Sequence, residues 1–255
     1  MSPIAAEILG TAILVLLGTG VVANVVLNQT KGNSGGWIVI TAGWGLAVYT
    51  AVLCTEQYSG AHLNPAVSIG LATAGEFAWK LVPSYVLAQM LGGFFGAVLV
   101  FFFYKSHYER TEDGDLKLAT FCTSPNIRSL PLNLLSEIVG TFVLVYAVLM
   151  MADPMFTLDA ESGSREIPVG LGSIGALRVG LVVFAIGLSL GGTTGYAINP
   201  ARDLSPRLAH WLLPVPGKRD SDWSYSPIPV VGPIVGAMLA AALANLSSLG
   251  SLPLQ

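Results

Sequence analysis

The residues of this chain best able to do chemistry lie inside its apolar stretches. The triplet Asn64-Pro65-Ala66 recurs as Asn199-Pro200-Ala201, and a Gly (Gly60, Gly195) stands four residues before each Asn. Asn before Pro favours an extended residue followed by a helix start, with the Asn side chain as N-cap. One such triplet reads as a surface turn; two copies in matching apolar contexts read as a repeated structural device. The remaining candidates are charged: Glu7, Glu137, Arg178, and Arg202-Asp203 directly after the second triplet. Carboxylates inside apolar spans are functional candidates by default, so Glu7 and Glu137 are open both as proton relays and as structural acceptors. His62, two residues before the first triplet, is open as a pH sensor or as a residue that holds the loop. Arg178 reads as a side chain that snorkels to an interface.

The elements that must position these groups follow from composition. Of the 255 residues, 53% are hydrophobic and 11% charged, and the mean hydropathy is +0.67; soluble domains carry roughly 25% charged residues. Apolar stretches cover residues 4–27, 37–55, 82–104, 132–152, 174–195 and 227–246, each near the ~20 residues needed to cross a bilayer. Six membrane helices are therefore expected, in an all-α membrane protein. The first run lacks a basic leader and a small-residue cleavage site, so no signal peptide is expected. Cys54 in a span and Cys122 in a loop suggest neither a disulfide nor a metal site. No cofactor motif is present, and a net charge of −3 speaks against a nucleic-acid partner.

The chain also copies itself. Glu7-Ile8-Leu9-Gly10-Thr11 returns as Glu137-Ile138-Val139-Gly140-Thr141, and Gly92, Gly96, Ala97 return as Gly232, Gly236, Ala237. These anchors bracket the two Asn-Pro-Ala boxes and indicate repeats of roughly 1–105 and 128–255 within a single domain, 1–255. A polar, solvated linker at 105–130 joins them, and 153–170 and 214–226 are further polar connections. Three crossings per copy force the second copy to enter the membrane inverted. The short segments after the boxes, 67–74 and 202–213, reach only half way across at ~1.5 Å per residue. They are read as re-entrant half-helices whose N-termini meet near the midplane. The pieces before them, Gly60-Ala61-His62 and Gly195-Tyr196-Ala197, are expected to be extended with free carbonyls, and the Asn64 and Asn199 NH2 groups to point into the lumen. Facing helix N-termini gather partial positive charge and unpaired N–H groups. Such a site suits hydroxyl and water oxygens and repels cations; it is a conduction path, not a catalytic site. The Gly and Ala anchors are read as ordinary close helix packing.

On these motifs the sequence resembles the aquaporin superfamily over almost its whole length, and within it the glycerol facilitators (aquaglyceroporins). The resemblance implies six spans and two half-helices in a right-handed bundle, a homotetramer in lipid, a plasma-membrane location and cytoplasmic termini. Counting Lys and Arg by the positive-inside rule points to the opposite orientation. The resemblance further implies a selectivity filter at Trp44, Gly187, Tyr196 and Arg202, and pore lining by Asn64, Pro65, Ala66, Asn199, Pro200 and Ala201. It implies a carbonyl ladder at Gly60, Ala61, His62, Gly195 and Ala197, with Glu7, Glu137 and Asp203 as structural support. Asp203 resembles the glycerol-conducting branch. Gly187, where water-selective relatives carry His, is expected to leave open space. Glycerol facilitators usually have Phe where Tyr196 stands. Glu56 and Tyr58 are unusual for the family and either shape the inner vestibule or solvate a loop.

The leading expectation is passive passage of glycerol, other small uncharged solutes and some water, with ions and protons excluded. Urea, dihydroxyacetone or protonated short acids such as lactic acid are variants of that reading. An ion-coupled secondary transporter also uses inverted repeats, but it needs a titratable group at the midplane, where this chain places amides. An enzyme is a distant third, because no nucleophile–base or metal-ligand set converges in the spans.

Overall fold

The computed structural model describes residues 1–160 and 163–250; residues 161–162 of the 153–170 connection and 251–255 of the second repeat lie outside the described residues. The elements in order are α1 (Pro3–Val26), α2 (Trp37–Ser59), α3 (Pro65–Ala74), α4 (Val82–Phe103), α5 (Lys105–Arg110), α6 (Gly114–Ala119), α7 (Leu130–Met150), β1 (Met155–Ala160), β2 (Gly163–Pro168), α8 (Gly175–Ser189), α9 (Pro200–Leu212) and α10 (Ile228–Gly250). Among the described residues six helices are long and apolar enough to cross a membrane: α1, α2, α4, α7 and α10, and α8 together with the 3-10 turn Gly172–Ile174 that leads into it. The chain is an integral multi-pass membrane protein. With 10 and 13 residues, α3 and α9 extend only ~15–20 Å, about half of a ~30 Å hydrocarbon core.

Both half-helices start as the triplets dictate. Asn64 and Asn199 are extended N-caps, Pro occupies the first turn, and each Asn side chain accepts from the backbone N–H two residues on. Each half-helix then packs on the last span of the other half, α3 on α10 and α9 on α4. This exchange locks the halves together.

Lipid offers helices little hydrophobic reason to associate, so close backbone approach must supply the attraction. On α4, Gly92 lies against the Ile8 carbonyl of α1, and on α10, Gly236 lies against the Ile138 carbonyl of α7. A Cβ on Gly45 would come within 2.8 Å of the Gly180 carbonyl, and one on Gly180 within 2.7 Å of the Gly45 carbonyl, so α2 and α8 touch backbone to backbone. The packing role read for the small residues holds.

Two connections differ from expectation. The 153–170 segment contains a hairpin in which β1 pairs antiparallel with β2, Phe156 opposite Ile167; its polar composition masks a short alternation of apolar residues. The 105–130 linker is not simply solvated. Its short helices α5 and α6 bury Tyr108, Lys117 and Leu118, and Phe121 and Cys122 after them are buried too. The Lys117 ammonium reaches the Pro216 carbonyl, so this linker and the 214–226 connection form one packed cover. Charges spaced along short amphipathic turns conceal that inward face.

The helix contacts make a direct prediction. Gly92→Ala puts a methyl group onto the Ile8 carbonyl oxygen and should destabilise the purified protein by ~1–3 kcal/mol. Gly20→Ala, with nothing within 4 Å of the new Cβ, should be neutral or stabilising by ~0.5–1 kcal/mol. Thermal unfolding in detergent measures both; equal melting temperatures would contradict the close approach of α1 and α4.

Candidate functional site

The site is built on two non-helical segments deep in the bundle. Residues 60–63 and 195–198 alternate through left-handed backbone: Gly60 (φ 77°), Ala61 (48°), Leu63 (52°), and Gly195 (85°), Tyr196 (37°), Ile198 (44°). Extended backbone was expected and is absent from these residues. Non-Gly residues in this region cost of order 1–3 kcal/mol each and persist only when over-determined by their surroundings. The determinants are the two buried carboxylates. Glu7 accepts from the backbone N–H groups of His62 (3.0 Å) and Leu63 (2.8 Å), from the Ser59 hydroxyl (2.6 Å) and from the Gln89 amide (2.8 Å). Glu137 accepts from the N–H groups of Ala197 (3.0 Å) and Ile198 (2.8 Å) and from the Thr194 hydroxyl (2.7 Å). Every carboxylate oxygen is thus engaged by the loop of its own half, which favours the structural reading of both residues over proton relay.

With their N–H groups drawn aside, the loops leave carbonyls over. Among the described residues, no hydrogen bond is made to the carbonyls of Gly60, Ala61, His62, Gly195, Tyr196 or Ala197. Strand geometry would point successive carbonyls to opposite sides; interposed left-handed residues break that alternation. The His62 ring is held by the Ser68 hydroxyl (3.0 Å) and packs against Phe77 and Tyr85.

At the meeting point each Asn reaches across to the other half. Asn64 Nδ2 donates to the Ile198 carbonyl (2.8 Å), and Asn199 Nδ2 donates to the Leu63 carbonyl (2.9 Å). Their NH2 groups therefore do not point wholly into the lumen: one N–H of each ties the halves, and one remains. Asn64 and Asn199 together close the end of a cavity of ~230 Å³ walled by Val48, Val52, Leu144, Val148 and Val179. Glu56 and Arg178 stand on the same wall. The Arg178 guanidinium also bonds the Ala152 carbonyl (3.1 Å) and the Asp153 carboxylate (3.0 Å). Tyr58 is exposed and is not part of that wall.

On the side of the 105–130 and 214–226 loops a second cavity of ~530 Å³ has Trp44, Tyr196 and Arg202 in its lining. The Arg202 guanidinium lies 4.1 Å from the Trp44 ring centroid, a cation–π contact. Gly187 does not leave open space. A Cβ there would come within 2.8 Å of Tyr196 Cζ, because the Tyr196 ring fills the gap. The four residues named from the sequence thus do converge, with Gly187 as the seat of Tyr196.

Asp203 is buried and holds the second loop's far side. It accepts from the Thr123 N–H (2.7 Å) and hydroxyl (2.6 Å), and from Arg207 Nε (3.0 Å) and its terminal nitrogen (2.8 Å). Arg207, fully buried, also donates to the carbonyls of Ser221 (2.8 Å), Asp222 (3.0 Å) and Thr123 (2.9 Å). Outside the membrane, burial pushes the Asp222 carboxyl up, but hydrogen bonds from Arg128 and Ser224 outweigh this and hold it below the usual range. Lys218 closes the C-terminal carbonyls of α9 at His210, Trp211 and Leu213. Sequence reading missed Arg207, Gln89, Ser59 and Thr194. Two signals were available: Asp203 and Arg207 stand at i, i+4, and a hydroxyl residue precedes Gly60 and Gly195 in both repeats.

Comparison with known proteins agrees with this geometry. The family model described as major intrinsic protein matches residues 1–244. The chain is 55% identical to a probable glycerol uptake facilitator protein of Thermotoga maritima, over 96% of this chain and 99% of that one. It is 51% identical to a glycerol uptake facilitator protein of Streptococcus pneumoniae, over 96% and 99%. Among solved structures, the aquaglyceroporin from Plasmodium falciparum superimposes with a TM-score of 0.80 at 33% identity, covering 95% of this chain and 94% of that one. With two half-helices meeting at paired Asn side chains, and with a family match across nearly its whole length, the chain belongs to the major intrinsic protein family.

Proposed function

We propose that this chain is a passive transmembrane channel for glycerol and other small uncharged solutes, with some water, and that it is not an enzyme. The observation that carries the reading is the junction at Asn64 and Asn199. Two half-helix N-termini meet there, each Asn keeps an N–H in reserve, and unbonded carbonyls lead away on both sides. A solute hydroxyl both donates and accepts, so it can pass from carbonyl to amide to carbonyl without losing hydrogen bonds. A cation meets two positive helix ends and the Arg202 guanidinium, while the amides of Asn64 and Asn199 carry no negative charge to offset them. No step of this path needs an energy source or cofactor.

In this reading Trp44, Gly187, Tyr196 and Arg202 form the filter. Trp44 and Tyr196 give apolar surface to the carbon backbone, and Arg202 donates to hydroxyls. Asn64, Pro65, Ala66, Asn199, Pro200 and Ala201 line the centre, and Gly60, Ala61, His62, Gly195 and Ala197 supply the ladder. The domain is one channel, 1–255, of two inverted repeats in a homotetramer surrounded by lipid. Its place is the plasma membrane with both termini cytoplasmic, and urea or protonated lactic acid are further solutes of the right size and neutrality. The names of the relatives, glycerol uptake facilitators, support glycerol as the leading solute.

Liposomes carrying the purified protein should equilibrate glycerol far faster than protein-free liposomes and never accumulate it against a gradient; an absence of added flux, or uphill accumulation, refutes the reading. Arg202→Ala should raise proton leak about tenfold or more, the equivalent of removing ~1.4 kcal/mol of electrostatic barrier, as read by a pH dye trapped inside; an unchanged leak would remove Arg202 from the barrier. Trypsin should cut within 153–170 in inside-out vesicles and leave that segment intact in whole cells. The reverse pattern would invert the proposed orientation.

A further inference from the structure

Glu56 is a charge on the cavity wall that the conduction path described above does not use. Val48, Val52, Glu56 and Gly60 follow one another at four-residue spacing along α2 and its C-cap, and all four line the ~230 Å³ cavity that ends at Asn64 and Asn199. That spacing keeps residues on one side of a helix, so Glu56 shares the face that Val48 and Val52 turn to the cavity. It is exposed, and its carboxylate has no hydrogen bond or ion pair among the described residues. Arg178 on α8 is the other charged side chain of this lining, and it is already engaged. Its guanidinium donates to the Gly175 carbonyl (3.3 Å), the Ala152 carbonyl (3.1 Å) and the Asp153 carboxylate (3.0 Å). Asp153 matches the charge of Arg178, so Glu56, Arg178 and Asp153 together leave a net negative charge at this mouth. Beyond Glu56 the lining continues with Gly60, Ala61 and His62, whose carbonyls accept no hydrogen bond among the described residues. Leu144, Val148 and Val179 add hydrocarbon to the wall. The cavity therefore combines acceptors and apolar surface, and it is closed by amide donors.

We propose that this cavity is a binding site for small primary alkylammonium ions, which plug it from the Glu56 side and do not pass. The site lies on the solute path if the chain is the channel proposed above, and the inference rests on that reading. An ammonium group has three donors and no acceptor, so the Glu56 carboxylate and the unbonded carbonyls can satisfy it while a short alkyl chain lies against the valines. The ion can go no further, because the junction at Asn64 and Asn199 presents amide donors and two positive helix ends. Glycerol, which both donates and accepts, is not stopped there, and an ammonium ion held beside Glu56 stands in its way. The cavity on the other side of the junction gives no such site. Its lining sets Arg128, Arg202 and Arg219 against Asp115 and Asp222, a net positive charge that repels the same ions.

The probe is n-butylammonium chloride, at equal concentration on both faces of liposomes that carry the full-length protein at neutral pH. Glycerol permeability is read by stopped-flow light scattering. Half-inhibition is expected at about 1–10 mM, an ordinary affinity for so small a ligand. Methylammonium, which lacks the apolar chain, should block at least about tenfold more weakly. Glu56→Gln should weaken the block by butylammonium about fivefold, and Glu56→Asp, which keeps the charge, should restore most of it. Raising the ionic strength from about 0.01 M to about 0.15 M should also weaken the block of the wild type; that dependence decides the matter if Glu56→Gln does not assemble. Glycerol permeability untouched by butylammonium at roughly 100 mM overturns the site, and so does a block of equal strength in wild type and Glu56→Gln or one indifferent to salt. Equal potency of the two amines overturns the part given to the apolar wall. Wild-type protein with no glycerol flux above protein-free liposomes before any amine is added overturns the channel reading itself, a result distinct from flux that the amine fails to block.

Discussion

Everything in this molecule depends on keeping backbone N–H groups satisfied where the chain is not helical and water is scarce. An unpaired amide in hydrocarbon costs several kcal/mol, and the two loops at 59–64 and 194–199 break off deep in the bundle. Glu7 and Glu137 remove that penalty by collecting two consecutive N–H groups each, together with one hydroxyl. A carboxylate is suited to this because it accepts several hydrogen bonds and donates none when ionised. Once the donors are turned towards the carboxylates, the carbonyls of the same peptides are left for something else to use. The conduction path is thus the complement of the anchoring, and the two cannot be varied separately. Gly10 and Gly140, three residues after the carboxylates, leave the room that Leu63 and Ile198 occupy, so the Glu-x-x-Gly spacing carries both the anchor and the seat of the loop it holds.

The two halves solve the same problem with different second supports. In the first half, Gln89 on α4 bridges Glu7 and Ser68, at 2.8 and 3.0 Å, so the loop, its half-helix and a span are joined inside the membrane. In the second half, the corresponding task falls to Asp203 and Arg207, whose partners Thr123, Ser221 and Asp222 lie in the long loops of one face. A buried ion pair alone adds little stability and is damaging when half removed; here it is fully hydrogen-bonded and serves to fix position. The second half-helix is thereby tied to a cover that borders the cavity above Arg202, and the first is not. Two copies of one device thus differ: one arm is held within the bundle by Gln89, and the other, which carries Tyr196 and Arg202, is held by the loops as well.

Much of this was legible in the sequence, and the reasons are physical. Span length is set by bilayer thickness, the Asn-Pro-Ala starts are set by capping chemistry, and the duplication repeats both, so six spans and two half-helices could be read directly. Trp44, Tyr196 and Arg202 were found through a resemblance and do converge. The failures are of a different kind. The Asn before each Pro is extended, as X-Pro requires, but extended backbone was also expected at Gly60-Ala61-His62 and Gly195-Tyr196-Ala197, where the pull of Glu7 and Glu137 on successive N–H groups accompanies left-handed residues at Ala61, Leu63, Tyr196 and Ile198. The Asn amides were sent into the lumen because nothing in one copy shows that the other copy's carbonyl is within 2.8–2.9 Å. The 105–130 linker was taken as solvated because its charges are conspicuous, whereas the inward residues Tyr108, Leu118 and Phe121 are too few to register as a periodic face. Each error concerns a long-range contact overriding a correct local preference.

Gly187 is the instructive case for how far a motif can be trusted. Read alone, a Gly in a pore wall means space, since it lacks a side chain. In the fold it means the reverse, because a neighbour expands into it: the Tyr196 ring sits where a Cβ would be, within 2.8 Å. Size at one wall position is therefore not an independent variable of the proposed filter. A larger residue at 187 would have to displace Tyr196, and with it the indole that bonds the same residue's carbonyl. At the proposed filter, Trp37, Gly187, Gly191 and Tyr196 form one packed set, held at one end by the last turn of α8 and at the other by Glu137 through the loop.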